Sequence, residues 1–324
     1  MVSLKTIQEP VNEELSKFED YFRETIKSDI PLLSTIINYV LRTKGKKVRP
    51  LIVFLAAKMF GEITQKTYIA ATSIELLHTA TLIHDDIIDE SYERRNFFSI
   101  NAIWKNKLSV LVGDFILAKG LLLGADNKGY EFIPYICHAV KDMSEGEIIQ
   151  LRKSHYPDLS FETYYDIISK KTATLIASSV AIGALSVNVD KEIADKMFDI
   201  GINIGLAFQI KDDIFDYQEK GLLGKPTGND LREQKFTLPL LYVVKKLPFL
   251  EKRSLLRKIK SKNKSQSVIN EIVDLVIKHG GIVYATEQMI HHKNLAINAL
   301  SDFPDTEGKT ALINLIDYIT VRDK

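Results

Sequence analysis

Disulfides, turn residues and an excess of either charge are all scarce in this sequence. The single cysteine, Cys137, excludes an internal disulfide and is typical of a reducing compartment. Glycine occurs 16 times and proline 9 times in 324 residues, and no Asn-Gly or Asp-Gly pair is present to close a tight β-hairpin. The net charge of +1, from 43 basic and 42 acidic residues, lacks the basic excess of a dedicated nucleic-acid binder.

Secretory and membrane-spanning signals are also missing. The N-terminal region carries Glu9, Glu13 and Glu14 and no early apolar run, so we expect no signal peptide. No apolar stretch approaches the roughly 18 residues that a transmembrane helix needs. The sequence therefore predicts a soluble protein of the cytoplasm.

Apolar residues recur at spacings of three and four, which is the pattern of amphipathic helices. Examples run through 32–41, 69–80 and 312–319. A segment rich in alanine, serine and glycine, 174–187, predicts a central helix that its neighbours approach closely. Helix-breaking residues separate these runs at 44–45, 61, 126–129, 157, 221–228, 248 and 280–281. These patterns predict an all-α protein.

An aspartate motif of the form DDxxD lies within the apolar stretch LIHDDIID at 82–89. On a helix, Asp85 and Asp89 are one turn apart on one face, and Asp86 lies three residues before Asp89. Aspartate is a poor residue inside a helix, and three carboxylates beside apolar side chains repel one another unless a cation neutralises them. One such motif alone is explained as well by an acidic, solvent-exposed face.

The same motif occurs again in AFQIKDDIFD, where Asp212, Asp213 and Asp216 are flanked by isoleucine and phenylalanine. Two copies in apolar helices make a solvent-exposed face a poor explanation. Carboxylates are hard oxygen ligands, and Mg²⁺ typically takes one or two of them and completes its shell with water and substrate phosphate. Two facing motifs would hold several magnesium ions around one diphosphate.

Basic residues gather near both motifs in sequence. They are Lys46, Lys47, Arg49, Arg94, Arg95, Lys170, Lys171, Lys225 and Lys235. Arginine forks and lysine point charges both suit phosphate oxygens. Each residue alone would be an ordinary surface charge, but together with two acidic motifs they predict a site for two anionic groups. One group would be bound through metal and the other directly by basic side chains.

Taken as a set, these motifs resemble those of the trans-type polyprenyl diphosphate synthases, from about Ile36 to Tyr318. The resemblance is carried by GKKVRP at 45–50, HTATLIHDDIIDE at 78–90, RR at 94–95, NKLSVLVGD at 106–114, KKTATL at 170–175, FQIKDDIFD at 208–216, GKPTGNDL at 224–231, KFTLPL at 235–240 and GGIVYA at 280–285. The chain departs from the family where Asn96, Phe97 and Phe98 follow Arg95 instead of Gly-x-Pro. It departs again where the basic turn reads KGKK rather than Gly-Gly-Lys-Arg.

The resemblance implies one helical-bundle domain over 1–324, forming a homodimer, with both motifs facing a central cavity. It implies that roughly three magnesium ions are held, with substrate bound, by Asp85, Asp86, Asp89, Asp212 and Asp216. The allylic diphosphate would contact Arg94, Lys171, Thr172, Gln209, Lys225 and Lys235. Isopentenyl diphosphate would contact Lys46, Arg49, His78 and Arg95. Asp213 completes the expected catalytic set.

The residues that precede the first motif bear on product length. The growing tail should run along the aspartate helix past Thr81, Ala80 and Leu77. None of these is aromatic, whereas short-chain members of the family commonly block this path with an aromatic ring. We therefore expect a medium or long product, since no bulky ring closes the path, and the family resemblance implies roughly six to eight isoprene units. The alternative is that Ala80 and Thr81 merely pack against another helix.

Other interpretations stay open at this point. A class I terpene cyclase shares the helical fold and the first motif, but would normally carry an Asn/Ser/Glu metal site in place of the second. A non-catalytic subunit of a heteromeric synthase tends to lose aspartates or basic residues that this chain keeps. A purely structural bundle leaves the paired motifs unexplained. Separately, nine basic residues and one acid, Glu251, lie within 245–264, and contact with anionic lipid is an alternative to a solvated surface.

Overall fold

The computed structural model describes residues 2–42, 47–94, 97–126, 129–155, 159–217, 228–261 and 264–321, without the side chains of Arg94, Ser154 and His155. Most of these residues are helical. The strand pairing within them is a two-residue hairpin of β1 (Glu93–Arg94) and β2 (Phe97–Phe98). The predicted all-α class is confirmed.

The helices follow one another in a simple order. The first ten are α1 (Leu4–Gln8), α2 (Asn12–Ile26), α3 (Pro31–Arg42), α4 (Val48–Phe60), α5 (Gln65–Ile88), α6 (Ile100–Asp126), α7 (Ile133–His155), α8 (Phe161–Ile168), α9 (Thr174–Leu185) and α10 (Lys191–Phe215). The others are α11 (Asn229–Arg232), α12 (Leu238–Lys246), α13 (Phe249–Lys260), α14 (Gln266–Lys278), α15 (Gly281–Leu300) and α16 (Glu307–Val321). A π-helical turn, Ser169–Ala173, joins α8 to α9.

Several helices begin and end at the predicted breaks, because capping groups stand there. The hydroxyl oxygens of Ser160 and Ser265 accept hydrogen bonds from backbone N–H groups in the first turns of α8 and α14. Pro248 separates α12 from α13, and Gly280, with a φ of +75°, precedes α15 in the left-handed conformation that glycine tolerates. The predicted breaks at 44–45 and 157, and the parts of two others at 127–128 and 221–227, lie outside the described residues.

Helix α9 is the predicted central helix, and every one of its side chains is buried. It packs against α4, α5 and α10. A Cβ at Gly183 would lie 2.5 Å from the carbonyl oxygen of Val53, so the backbones of α9 and α4 meet directly. Small residues are required here because the helices approach too closely for larger side chains.

Helices α5 and α10, which carry the two aspartate motifs, flank α9. Helix α6 lies along α5, and α15 lies along α10. Helices α12, α13 and α14 surround a second apolar cluster that includes Tyr217 and Leu231. This cluster packs directly behind the C-terminal end of the second motif.

Helix α6 is long and apolar enough to cross a membrane by length and composition, and about a third of its apolar stretch is buried. The expectation that no apolar stretch approaches a spanning length is therefore wrong for this helix. Asp114 and Lys119 interrupt its apolar run without changing its overall apolar character. Its outward side chains include Val110 and Leu111, which are exposed.

Candidate active site

The first aspartate motif lies at the C-terminal end of α5. Asp85 and Asp86 belong to the last turn, and Asp89 is the C-terminal cap, with its N–H 2.8 Å from the carbonyl oxygen of Asp85. Asp86 is buried, Asp85 is half-buried and Asp89 is exposed. The C-terminal end of a helix carries partial negative charge, so carboxylates placed there favour binding of a cation.

The second motif has the same placement at the end of α10. Asp212 is half-buried, Asp213 is buried, and Asp216 is the C-terminal cap. Both carboxylate oxygens of Asp216 accept backbone hydrogen bonds, from Asn229 at 2.8 Å and Asp230 at 3.0 Å. Burial raises the pKa of Asp216 although these bonds oppose the rise. Asp216 therefore fixes the chain segment that enters α11.

Lys235 connects the two motifs electrostatically. Its ammonium lies 2.5 Å from Glu233 and 3.9 Å from Asp230. Burial alone would lower the pKa of Lys235, but Glu233, Asp230 and Asp89 together raise it above its ordinary value. Asp89 of the first motif thus raises the pKa of Lys235, and Lys235 also lies near Asp230, which is next to the second motif.

The neighbouring carboxylates respond to the same crowding. Partial burial raises the pKa of Asp89, with Glu147 and Glu233 adding to the rise and Lys235 and Lys171 opposing it. Burial, followed by the charge of Asp216, raises the pKa of Asp230 to about 6. Glu233 therefore disfavours the charged forms of both Asp89 and Asp230, and this is the kind of crowding that a bound divalent cation would relieve.

The π-helical turn brings a second lysine to this site. Lys171 forms an ion pair with Glu147 of α7, whereas Lys170 faces the surface and pairs with Asp166 at 3.1 Å. Gly146 allows α7 to approach this turn, since a Cβ there would lie 2.9 Å from Cγ of Lys171. Single π-helical turns within α-helices are frequent at functional sites, because they rotate the residues that follow.

A chain of hydrogen bonds runs from this turn into the core. Thr172 donates from Oγ1 to Oε1 of Gln209 at 2.8 Å, and Nε2 of Gln209 donates to Oδ1 of Asp213 at 3.0 Å. The hydroxyl of Tyr164 donates to Oδ2 of Asp213 at 2.7 Å. Burial raises the pKa of Asp213 to about 7. Asp213 therefore holds the side-chain amide of Gln209 in a fixed orientation.

A cavity of about 260 Å³ opens beside these residues. Five of the residues expected from the sequence line it, namely Lys171, Thr172, Gln209, Asp213 and Lys235. Lys153, Thr163 and Gln234 add further polar groups. The cavity therefore combines cationic and hydrogen-bonding groups suited to phosphate oxygens.

The residues expected to bind isopentenyl diphosphate are described only in part. Nη1 of Arg49 lies 3.0 Å from Nε2 of His78, so α4 and α5 bring these two side chains together. Lys47 instead pairs with Glu19 and lies over the rings of Phe18 and Phe22, away from them. The expected ligands Lys46, Arg95 and Lys225 and the side chain of Arg94 lie outside the described residues.

The residues expected to control chain length lie within α5. Leu77 and Ala80 are buried in the main apolar core, and Thr81 is half-buried with its hydroxyl donating to the carbonyl of His78 at 2.9 Å. On α6, a Cβ at Gly120 would lie 3.2 Å from Leu76. The helices α5 and α6 are therefore in close contact at Leu76, which is next to Leu77 and one turn before Ala80.

The aspartate oxygens fit a magnesium site that substrate completes. Among the described residues, no group of three histidine, cysteine or acidic side chains is arranged to hold a metal ion by itself. Mg²⁺ binds through one or two carboxylates together with water and phosphate oxygens, so it needs no such group. Asp85, Asp89 and Asp212 are the side chains that could hold it, while Asp86 is buried and Asp216 already accepts two backbone hydrogen bonds.

Several residues of the site carry no signal in the sequence motifs used above. Glu147 and Tyr164 belong to no motif, and only the fold reveals their contacts with Lys171 and Asp213. Asp230 stands within GNDL, and its place beside Asp216 could have been suspected from that segment.

The helical fold and the cationic cavity together define a class of helical proteins suited to binding diphosphates. The family model "Polyprenyl synthetase" matches residues 30–276, and the chain belongs to this family. It is 32% identical to the octaprenyl diphosphate synthase of Haemophilus influenzae, over 99% of this chain and 97% of that protein.

Two solved structures share the whole fold. One is the polyprenyl synthase from Caulobacter crescentus complexed with calcium and isoprenyl diphosphate, with a TM-score of 0.91, 31% identity and coverage of 99% and 98% of the two chains. The other is the geranylgeranyl pyrophosphate synthase from Bacteroides thetaiotaomicron, with a TM-score of 0.83, 36% identity and coverage of 98% of each chain. The resemblance to the trans-type polyprenyl diphosphate synthases is confirmed.

Proposed function

We propose that this protein condenses an allylic diphosphate with isopentenyl diphosphate in repeated head-to-tail additions, giving an all-trans polyprenyl diphosphate and releasing diphosphate. The observation that carries the proposal is the cavity lined by Lys171, Thr172, Gln209 and Lys235, where Lys235 lies 3.9 Å from Asp230 beside the second motif. The ammonium groups of Lys171 and Lys235, with the hydroxyl of Thr172, suit a diphosphate better than any uncharged group.

The protein's own side chains orient and stabilise the leaving group. Lys171 and Lys235 would hold diphosphate oxygens, and Gln209, held between Thr172 and Asp213, would add a fixed hydrogen bond. Magnesium held by Asp85, Asp89 and Asp212 would supply positive charge that stabilises the departing diphosphate. Apolar cavity walls such as Leu241 exclude water, which would otherwise capture the allylic cation.

The bond changes balance without a dedicated base on the protein. The allylic C–O bond breaks, and its electron pair leaves with the diphosphate. The double bond of isopentenyl diphosphate forms the new C–C bond, and a proton lost from the resulting cation is taken up by the released diphosphate. The main task of the protein is therefore positioning and charge stabilisation.

The product proposed is a medium or long chain of roughly six to eight isoprene units, because no aromatic ring closes the expected tail path. Leu77, Ala80 and Thr81 are all non-aromatic. The name of the Haemophilus influenzae relative, octaprenyl diphosphate synthase, favours this range. A geranylgeranyl pyrophosphate synthase shares the fold, so product analysis must decide.

The decisive experiment incubates the purified protein with farnesyl diphosphate, isopentenyl diphosphate and magnesium, followed by mass spectrometry of the products. We expect polyprenyl diphosphates that form only when both substrates are present. A cyclised hydrocarbon from the allylic diphosphate alone would indicate a terpene cyclase instead. No turnover by the folded single chain would favour a non-catalytic subunit.

The metal assignment has its own test. Asp85→Ala and Asp212→Ala should each lower turnover by at least about 100-fold, since each removes a ligand and charge at the leaving group. Asp199→Ala changes an exposed aspartate on α10 and serves as the control. Near-normal turnover in either site variant, or full turnover after removal of magnesium with a chelator, would contradict the assignment.

We also propose that the protein forms a homodimer through the outward face of α6. Val110, Leu111 and Leu122 are 41%, 63% and 57% exposed on that helix, and Ile148 of the neighbouring α7 is 66% exposed. An exposed apolar patch of this kind marks a protein interface. Light scattering should give twice the chain mass of 36.8 kDa, and Leu111→Lys should yield the monomer. A wild-type monomer would contradict this.

Location in the cytoplasm stays a prediction from the sequence.

A further inference from the structure

The N-terminal end of α13 presents two adjacent apolar side chains to solvent. Phe249 is 75% exposed and Leu250 is 77% exposed, the highest values among the large apolar side chains of the described residues. They follow Pro248 directly, at a corner between α12 and α13. The opposite side of α13 is anchored, since Leu255 and Ile259 are buried in the second apolar cluster.

The outward side of α13 continues as a basic surface. At about 100° per residue, Phe249, Leu250, Arg253, Arg257 and Lys260 fall within an arc of roughly 100°. This arc lies opposite the buried side chains of the same helix. We call these five residues the α13 face. It is amphipathic in an unusual sense, because its exposed side is both basic and tipped with large apolar groups.

The charged side chains of the α13 face form no ion pair within the described part of the chain. Within the described part of the chain, no carboxylate lies in ion-pair distance of Arg253, Arg257 or Lys260. Lys258 points to the side and pairs with Glu271 of α14. The net charge of the whole chain is only +1, so this basic surface is a local concentration rather than part of a general excess.

Two more lysines extend the basic surface across the corner. Lys245 and Lys246 end α12 and are exposed. Their ammonium groups lie 3.9 Å from the ring centre of Phe161 and 4.2 Å from that of Tyr242. These cation–π contacts hold both lysines beside the N-terminal end of α13.

We propose that the α13 face docks on the surface of a bilayer that contains anionic phospholipid. The apolar pair would enter the boundary between headgroups and acyl chains, and the arginines and lysines would meet the negative headgroups. A nucleic acid would match the charge but offers no apolar layer for Phe249 and Leu250. The positive charge and the exposed apolar pair of the α13 face thus both favour an anionic bilayer.

The docking surface is joined to the candidate active site through packing. Leu255 and Ile259 beneath the α13 face belong to the same apolar cluster as Tyr217 and Leu231, which flank the chain segment after the second aspartate motif. Under the proposed function the product has a long apolar tail, for which a bilayer is the natural acceptor. This last point rests on the proposed function, whereas the docking surface itself does not.

Vesicle sedimentation tests the proposal directly. The full chain is mixed with phosphatidylcholine vesicles, with or without about 30% phosphatidylglycerol, at low and high salt. Wild-type protein should bind the anionic vesicles about 10-fold better than the neutral ones, and salt should weaken binding. The double variants Arg253→Glu/Arg257→Glu and Phe249→Ser/Leu250→Ser should each lose about 10-fold in binding.

Matched controls separate the surface from general effects. Lys191→Glu/Lys196→Glu makes the same charge change on α10, and Leu295→Ser replaces an apolar side chain that is 42% exposed on α15. Both controls should bind as the wild type does. Equal binding of wild type to both vesicle types, or undiminished binding of either folded double variant, overturns the proposal and leaves an acidic protein as the partner. Prenyl elongation is measured separately without vesicles, so its failure would count against the proposed function alone.

Discussion

The hydroxyl of Tyr164 donates a 2.7 Å hydrogen bond to the buried carboxylate of Asp213, from a residue 49 positions earlier in the chain. This contact ties α8 to α10 directly behind Gln209. Because both side chains are buried, loss of the donor leaves the carboxylate with one fewer partner in a place that water does not reach freely.

Tyr164→Phe is therefore expected to lower the free energy of unfolding by about 1–3 kcal/mol and to reduce turnover, since Gln209 loses its fixed support. Urea unfolding and steady-state kinetics measure the two effects. Tyr165→Phe is the matched control, because its hydroxyl lies 3.4 Å from Gln288 and is only half-buried. In a double-mutant cycle with Asp213→Asn, additive effects would show that the two side chains do not act together.

Gly146→Ala should disturb the π-helical turn. The added Cβ would lie 2.9 Å from Cγ of Lys171 and 3.1 Å from its backbone nitrogen, so Lys171 must move. We expect kcat/KM for the allylic substrate to fall by about 10-fold, because small displacements of positioning groups are costly. Gly61→Ala is the control, since its Cβ would meet Val187 at an ordinary 3.4 Å. Equal kinetics of the two variants would rule out a role for this close approach.

Ala80→Phe should shorten the product. Ala80 is 1% exposed within α5, so an aromatic ring there must occupy space inside the bundle along the expected tail path. Mass spectrometry of the products should show a shift to fewer isoprene units, and thermal unfolding should show a loss of about 1–3 kcal/mol from overpacking. Ala125→Phe adds the same ring at an exposed position of α6. An unchanged product range in the folded Ala80→Phe variant would place the tail elsewhere.

His292 should make stability depend on pH. Burial, followed by the nearby His291, lowers the pKa of His292 from 6.5 to about 4. The unfolded chain therefore binds the proton more readily between these values, so the stability contributed by the neutral ring is present above about pH 6.5 and is lost as the pH falls toward 4.

The test compares wild type with His292→Gln. The unfolding free energy of the wild type should fall relative to the variant by roughly 2 kcal/mol between pH 7 and pH 4.5, after allowance for partial exposure. Chemical denaturation at several pH values measures this difference. His138→Gln, which alters an exposed histidine on α7, should leave the pH dependence unchanged. A constant difference between wild type and His292→Gln would contradict the prediction.

The sequence was sufficient for the helical class, because helical periodicity is a property of neighbouring residues. The apolar segment around Gly183 predicted a closely approached central helix, and α9 is that helix. The paired aspartates predicted a diphosphate site, and Lys171, Thr172, Gln209 and Lys235 line one cavity as expected. The helical class, the central helix and the diphosphate site depended on residue type and short spacing, whereas the expectations for Thr172 and Gln209 came from the family resemblance.

Other features depend on contacts that spacing cannot reveal. The π-helical turn inserts an irregularity of one residue, which helical periodicity is too coarse to detect. Asp216 matches the motif as well as Asp212 does, yet its carboxylate accepts hydrogen bonds from the backbone N–H groups of Asn229 and Asp230. Lys47 lies in a basic turn but turns toward Glu19, because its backbone adopts a left-handed conformation with a φ of +45°.

The direct backbone contact of α9 with its neighbours has a consequence for how such an enzyme can change over evolution. Where a Cβ at Gly201 or Gly205 would come within 2.4 Å of the backbone of Ala177 or Ala173, almost no substitution is tolerated. On α5, by contrast, Ala80 contacts its neighbours through a side chain, and a single substitution can change the volume of that side chain. Under the proposed function, a change at Ala80 can therefore alter product length without disturbing the close packing of α9 against α10.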